Sequence, residues 1–322
     1  MEISWLEDFK ALVECLNFSR AAEIRNVTQP AFSRRVRALE NWIGTPLFDR
    51  DTHRLRLTPA GEKFRLVAEE VLRRLQQGRQ EALDAGSAAS SLRFISTHAL
   101  SLSFFPHWLR EIEPVLGSTT VRLMADNMQG CERRMLQGEA HFLLCHHHPA
   151  AAHRLNSQDY ISIHLGDDML VPISAPDDLG QPRHRLPGRP DEPTAYLAFS
   201  EESGMGRIIT AARAHGGRPA WLKPVFASHL SHVLRMFAAD GRGMTWSPYS
   251  LTRDDMAAGK LVRAGDESWD IPMQIRLFRP RTRQDAQAER FWSYLEDRQQ
   301  KPQTDRLPHG TARRHALASE RA

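Results

Sequence analysis

Residues Phe18–Glu40 read FSRAAEIRNVTQPAFSRRVRALE. Their apolar side chains recur at helical spacing, first Ala21, Ala22 and Ile24, then Phe32, Val36, Leu39 and Ile43, with a polar break at Asn26–Thr28. The pattern predicts two short helices joined by a tight turn. Ser19 and Thr28 are read as their caps, and Pro30 suits a first helical turn, where its missing N–H has no intrahelical partner. Ala21 and Ala22 are small enough for the helices to cross closely. The second helix carries Gln29, Ser33, Arg34, Arg35 and Arg37, polar groups that fit a major groove about 12 Å wide and can address base edges. Positive charge is local: residues 20–56 contain eight arginines and four acids. Two readings fit this basic face, a DNA-recognition helix and a solvated side of a helical bundle.

Upstream, Leu6, Phe9, Leu12, Val13 and Leu16 extend the helical period over a first helix from Trp5. Downstream, Leu47–Leu57 reads as a β ribbon with a polar tip at Asp51–His53, whose Arg50, Arg54 and Arg56 could grip phosphates. Thr58-Pro59 then opens a long helix to about Ala85, with Phe64, Val67, Ala68, Val71, Leu72 and Leu75 on one face. Such a stripe either pairs with a second copy of itself or docks on its own chain. Small residues from Ala85 to Ser91 mark a linker.

Beyond it, strands and helices alternate. Strands are predicted at Leu92–Ser96, Thr119–Met124 and His141–Cys145, with helices at Leu102–Leu116 and Gly130–Leu136 between them, a βαβαβ unit with a parallel sheet. A second unit has strands near Met169–Ile173, Ala195–Phe199, Pro224–Phe226 and Gly243–Trp246, and helices after Gly204 and at Leu230–Ala239. Strand Ile275–Phe278 and helix Ala286–Leu295 return to the first unit.

The chain has 322 residues, 41% hydrophobic and 25% charged, enough apolar content to bury a core of about two domains. A net charge of +4 permits an anionic partner. Cys15, Cys131 and Cys145 form no disulfide framework and no zinc spacing, which points to a reducing cytoplasm. Neither a leader nor an apolar membrane span is read, and no hydrolase, metalloprotease, phosphate-loop or dinucleotide motif occurs, so no enzymatic activity is expected.

Phe9–Gly61 resembles the N-terminal domain of LysR-type transcriptional regulators, through FSRAAEIRNVTQPAFSRRVRALE, the following IGTPLFDR (Ile43–Arg50) and LTPAGE (Leu57–Glu62). The resemblance implies an N-terminal winged helix-turn-helix over 1–60, mainly α, and a linker and dimerisation helix with a hinge over 58–90. An α/β effector domain would follow over 91–298, built from two Rossmann-like subdomains similar to type 2 periplasmic-binding proteins. Subdomain I would take about 91–165 and 270–298, subdomain II about 166–269, leaving 299–322 as a disordered basic tail. It further implies that Gln29, Pro30, Ser33 and Arg34 face DNA bases, with Arg50, Arg54 and Thr58 on wing and backbone. Phe64, Val67, Val71, Leu72 and Leu75 would serve dimerisation. Double-stranded DNA is the expected partner, the chain itself a second, as a dimer or a tetramer made of two dimers, and RNA polymerase a third. The expected location is a bacterial cytoplasm. A rival reading is a solute-binding-like module without specific DNA recognition.

Thr97–Pro106, Ser203–Arg207, Gly241–Tyr249 and Ala288–Leu295 are similar to the hypochlorite-responsive branch of that family, which implies a role in the oxidative stress response. At two of these segments a strand runs into a helix, where N–H groups favour an anion. Thr97, His98, Ser101, Ser203 and Met205 are thus the candidate effector residues, for a small anion such as chloride or an oxidant, with no cofactor and no metal. Met205 could be oxidised reversibly or could simply pack. Where that branch carries further methionines, this chain has Leu230 and, near Glu113, no match. Cys145-His146-His147-His148 is read as a loop cluster rather than a metal site, and Cys131 and Cys145 as packing rather than a redox pair.

Overall fold

In the computed structural model the described residues are 1–50, 55–85, 91–216 and 218–300. They form two compact units, one of Met1–Ser90 with Arg133–Ala140, the other of the remaining described residues.

The first unit contains α1 (Ile3–Cys15), α2 (Phe18–Ile24), α3 (Gln29–Ile43), the strands β1 (Phe48–Asp49) and β2 (Arg56–Leu57), and α4 (Pro59–Ala85). Its core is the set that the helical period singled out: Phe9, Leu12, Ala21, Phe32, Val36 and Leu39 are fully buried. Two local expectations are corrected. Asn17, not Ser19, caps α2 by accepting the Arg20 N–H at 3.0 Å, because the chain is already helical at Phe18. Leu16 is not in the core; it is exposed and left-handed (φ 49°), closing α1 as its N–H reaches Leu12 O. Thr28 stands at the N-cap of α3 without a side-chain hydrogen bond.

The ribbon is antiparallel, Phe48 opposite Leu57 and Asp49 opposite Arg56, and its tip, 51–54, lies outside the described residues. Glu40 anchors it to α3: one carboxylate oxygen accepts the N–H groups of Leu47 and Phe48, the other the Arg50 guanidinium at 2.6 Å. Gly61 closes α4 against the ribbon so tightly that a Cβ there would stand 2.1 Å from Leu47 O. The apolar stripe of α4 divides. Phe64 meets Phe9 edge-on at 5.3 Å and Leu72 packs on the same core, so both serve their own chain, whereas Val67, Val71 and Leu75, with Leu66, are exposed.

The second unit begins with β3 (Ser91–Thr97), α5 (His98–Ser103), α6 (Phe105–Leu116), β4 (Thr120–Asp126), α7 (Met128–Leu136, counted with the first unit from Arg133 on) and β5 (Phe142–His147). The helix expected at Leu102–Leu116 is two helices, the second opening with Pro106 in its first turn. Next come β6 (Tyr160–Ser174), β7 (Thr194–Phe199), α8 (Gly204–Gly216), β8 (Leu222–Ser228), α9 (Ser231–Ala239), β9 (Thr245–Pro248), α10 (Tyr249–Ala257), β10 (Val262–Arg263), β11 (Ile271–Pro280) and α11 (Ala286–Gln300).

A seven-stranded sheet runs β10-β6-β11-β5-β3-β4, with β9 also on β6. β3 is parallel to β4 and β5, the expected βαβαβ unit, and β11 pairs antiparallel with β5 and β6. β11 and α11 complete the first subdomain's core, where Ile275, Leu277, Phe291 and Trp292 surround Phe94, Trp108 and Phe142. β6 is one 15-residue strand shared by both subdomains. Its register slips where Ile275 faces Gly166 but Arg276 faces His164, a bulge at Leu165. In the second subdomain β7 and β8 are parallel, over a core of Leu170, Met205, Ile208, Met244 and Trp246. α11 continues to Gln300, past the expected start of the tail at Gln299; residues 301–322 lie outside the described residues. Among the described residues no helix is long and apolar enough to cross a membrane.

Candidate functional site

In the first unit α3 buries Phe32, Val36 and Leu39 and leaves Gln29, Pro30, Arg34 and Arg37 exposed, with Ser33 half-buried beside them. Its opposite flank is held by charge: the buried Asp8 carboxylate pairs with Arg25 at 2.8 Å and Arg35 at 3.5 Å. Arg35 therefore supports the fold, while Arg34 stands clear. Of the expected backbone contacts, Arg50 is engaged with Glu40 and lies over the Phe18 ring at 5.4 Å. The Thr58 hydroxyl donates to Pro46 O and accepts from Gly61 N–H, capping α4, so its only proton is already used. Arg54 lies outside the described residues.

In the second unit a pocket lies where strands give way to helices. Its lining comes from the start of α5 (Thr97, His98), the start of α7 (Asp126, Asn127, Met128), the end of β5 (His146), the start of α8 (Ser203, Gly204, Met205) and the start of α9 (His229, Ser231). Four helix N-termini thus meet around it, a concentration of N–H groups and positive dipole ends. Thr97 Oγ1 and His146 Nδ1 are buried there without a hydrogen-bond partner. Among the described residues the lining holds neither lysine nor arginine and includes the Asp126 carboxylate, so positive potential there comes from backbone and imidazole.

The structure brings together four of the five expected effector residues. Ser101 is the exception: it sits one turn into α5, outside the lining, and its hydroxyl donates to His98 O at 2.9 Å. His98 and His229 face each other with ring centroids 5.8 Å apart. Burial, and then His229, push the His98 imidazole below its usual value, against an opposing pull from Asp126. Met205 is nearly buried, both a pocket wall and part of the core with Ile208 and Met244. His146, Asp126, Asn127, Met128, His229 and Ser231 were missed in the sequence. They come from three separate stretches, so only the fold relates them.

The Cys145–His148 run proves to be strand rather than loop up to His147. His146 Nε2 bonds to Asp168 on β6 at 3.0 Å. Burial, with Arg276, His153 and His148, pushes the His147 imidazole down to about 4. Burial also raises the Cys145 thiol, which removes thiolate character. Among the described residues no three acidic, histidine or cysteine side chains are placed to hold a metal ion.

Comparison with known proteins decides the family. The profile for the bacterial regulatory helix-turn-helix protein, lysR family, matches residues 3–62, and that for the LysR substrate binding domain matches residues 85–300. The chain belongs to the LysR family. It is a DNA-binding transcriptional regulator with a helix-turn-helix and an effector-binding domain, and the rival reading as a solute-binding module without DNA recognition is set aside. Among its relatives is the HTH-type transcriptional regulator YjiE of Escherichia coli (strain K12), 32% identical over 92% of this chain and 95% of that one. Full-length HypT of Salmonella typhimurium, a hypochlorite-specific LysR-type regulator, is 30% identical over 93% of this chain and 99% of that one, with a TM-score of 0.56. Vibrio fischeri DarR, a LysR-type regulator solved in complex with DNA, is 28% identical over 92% and 98%, with a TM-score of 0.54.

Proposed function

We propose that this LysR regulator senses a small anion or an oxidant in the pocket between Thr97 and Ser203, with Met205 beside it, and that occupancy changes how it holds DNA. The reading rests on one observation above all: four helix N-termini and the unpartnered Thr97 hydroxyl surround a pocket whose lining, among the described residues, has no lysine or arginine. Likeness to HypT favours hypochlorite chemistry as the signal. On the DNA side, Gln29, Pro30, Ser33 and Arg34 read bases, with Arg50 and the wing on phosphates. Two copies pair through Val67, Val71 and Leu75, and two such dimers form a tetramer that contacts RNA polymerase. The protein works in the cytoplasm, by recognition rather than catalysis. An effector acts only through different affinities for two arrangements of the oligomer. The test is operator binding by fluorescence anisotropy, with chloride and with hypochlorite, for the native protein, Met205→Ile and Thr97→Val with Ser203→Ala. A response lost in the double variant supports the pocket; a response kept there overturns it. A response unchanged in Met205→Ile removes sulfur oxidation from the mechanism.

A further inference from the structure

Arg50 follows β1 at the start of the wing, yet it is not a loose surface cation. Its Nη2 donates to Glu40 Oε2 at 2.6 Å, and its guanidinium carbon stands 5.4 Å from the centre of the Phe18 ring. Both holders are themselves fixed. The other Glu40 oxygen accepts the N–H groups of Leu47 at 2.9 Å and Phe48 at 3.2 Å, and the Glu40 side chain is only 11% exposed. Phe18 meets the buried Phe32 edge-on at 6.1 Å. A guanidinium is planar, with its N–H groups in one rigid fork, so one pinned nitrogen and one covered face fix the direction of the rest. Among the described residues Nε and Nη1 have no acceptor, and the Arg50 side chain is 34% exposed.

Such a pair can act on DNA binding in two opposite ways. The carboxylate can compete with phosphate for the cation, or it can order a long side chain that phosphate would otherwise have to immobilise. The geometry decides between them. Glu40 engages one nitrogen and is itself bound to the ribbon backbone, while the N–H groups of Nε and Nη1 stay uncommitted and can make charge-assisted hydrogen bonds to a phosphate. We infer that Glu40 is a positioning residue for DNA binding: it holds Arg50 against the Phe18 ring in the free protein, so that a phosphate meets a guanidinium already ordered and less freedom is lost on binding. The inference rests on the reading that Arg50 and the wing meet phosphates. It makes a carboxylate that touches no DNA strengthen the hold on a polyanion.

The test is a double-mutant cycle on the full-length protein, read by fluorescence anisotropy with a labelled DNA duplex. Phosphate contacts carry no sequence information, so a duplex of arbitrary sequence serves. Arg50→Ala should weaken binding and lower its salt dependence by about one counterion. In Glu40→Gln the two ribbon N–H groups keep the amide oxygen in the Oε1 place, so the NH₂ group faces Arg50 donor to donor. The anchor survives and the hold is lost. Binding should fall roughly threefold to tenfold in that variant, the usual scale of coupling within one ion pair, and change little when the same substitution is made in the Arg50→Ala chain. A role in stability alone would carry the same loss into both backgrounds, and that result overturns the inference. Native or tighter binding by Glu40→Gln overturns it too, the tighter binding because it makes the carboxylate a competitor of phosphate. Each of these leaves Arg50 on phosphate. Native affinity and salt dependence in Arg50→Ala overturn that reading and the inference together. If Glu40→Gln does not fold, Phe18→Leu takes its place in the same cycle, because it removes the ring face and keeps the Glu40 anchor.

Discussion

Arg207 Nη1 lies 2.9 Å from each carboxylate oxygen of Glu132, whose side chain is fully buried. Glu132 belongs to α7 of the first subdomain and Arg207 to the first turn of α8 of the second, so the pair ties both sides of the pocket. The carboxylate also accepts the Arg154 N–H at 2.8 Å. Removing either partner is unequal in cost, because Arg207 is 23% exposed and can turn to water while Glu132 cannot. Arg207→Ala should cost about 3–5 kcal/mol, the usual loss for a buried charge left alone, and Glu132→Gln distinctly less. Urea denaturation of the two variants checks the order, and equal losses would contradict it.

Gly61→Ala places a methyl group 2.1 Å from Leu47 O and 2.8 Å from Leu57 Cδ2. The backbone carbonyl cannot step aside without moving the ribbon, so a loss of about 1–3 kcal/mol is expected, the range for an overfilled site. Thermal unfolding of the variant measures it. A native melting temperature would show that α4 and the ribbon are less closely joined than described.

Adjacent arginines on α3 should behave differently. Arg34→Ala should weaken binding to the specific operator by about 1–3 kcal/mol and leave stability untouched. Arg35→Ala takes a partner from the buried Asp8 and should lower stability first. Paired anisotropy and unfolding measurements distinguish them, and a folded Arg34→Ala with native operator affinity would remove it from base readout.

The fold was legible wherever one face of an element is strictly apolar. Phe32, Val36 and Leu39 mark α3 without ambiguity, as do Phe291, Trp292 and Leu295 for α11. α10 has no such face, burying only Thr252 among its residues, so no apolar period marks it in the sequence. Periodicity also cannot tell which surface a stripe meets, which is why Phe64 and Leu72 were grouped with Val67, Val71 and Leu75. At the pocket, Thr97 and Ser203 were legible because a strand running into a helix is a local pattern. His146 was hidden by the opposite circumstance: its meaning lies in Asp168, 22 residues away on another strand.

Acid should weaken the effector domain as two depressed histidines take up protons. His147 is held at about 4 and His98 is lowered in the same direction, so the unfolded chain takes these protons first. Their contribution is complete above about pH 6.5 and is lost as pH falls toward 4. Asp285, held at about 2 against burial by His141, Ala288 N–H and Arg93, loses its contribution only below the ordinary carboxylate range. The urea midpoint should therefore drop between pH 7 and pH 5, and drop less in His147→Asn. An identical drop in that variant would assign the loss elsewhere.

Occupancy of the genome tests the central claim, that a ligand in the effector pocket controls a LysR regulator's hold on DNA. Chromatin immunoprecipitation of the native protein and of the Thr97→Val, Ser203→Ala double variant, each with and without hypochlorite, reads it directly. The account predicts that the native protein changes its sites or their occupancy on exposure, while the variant remains on DNA in the unexposed pattern. The same redistribution in both proteins would contradict it.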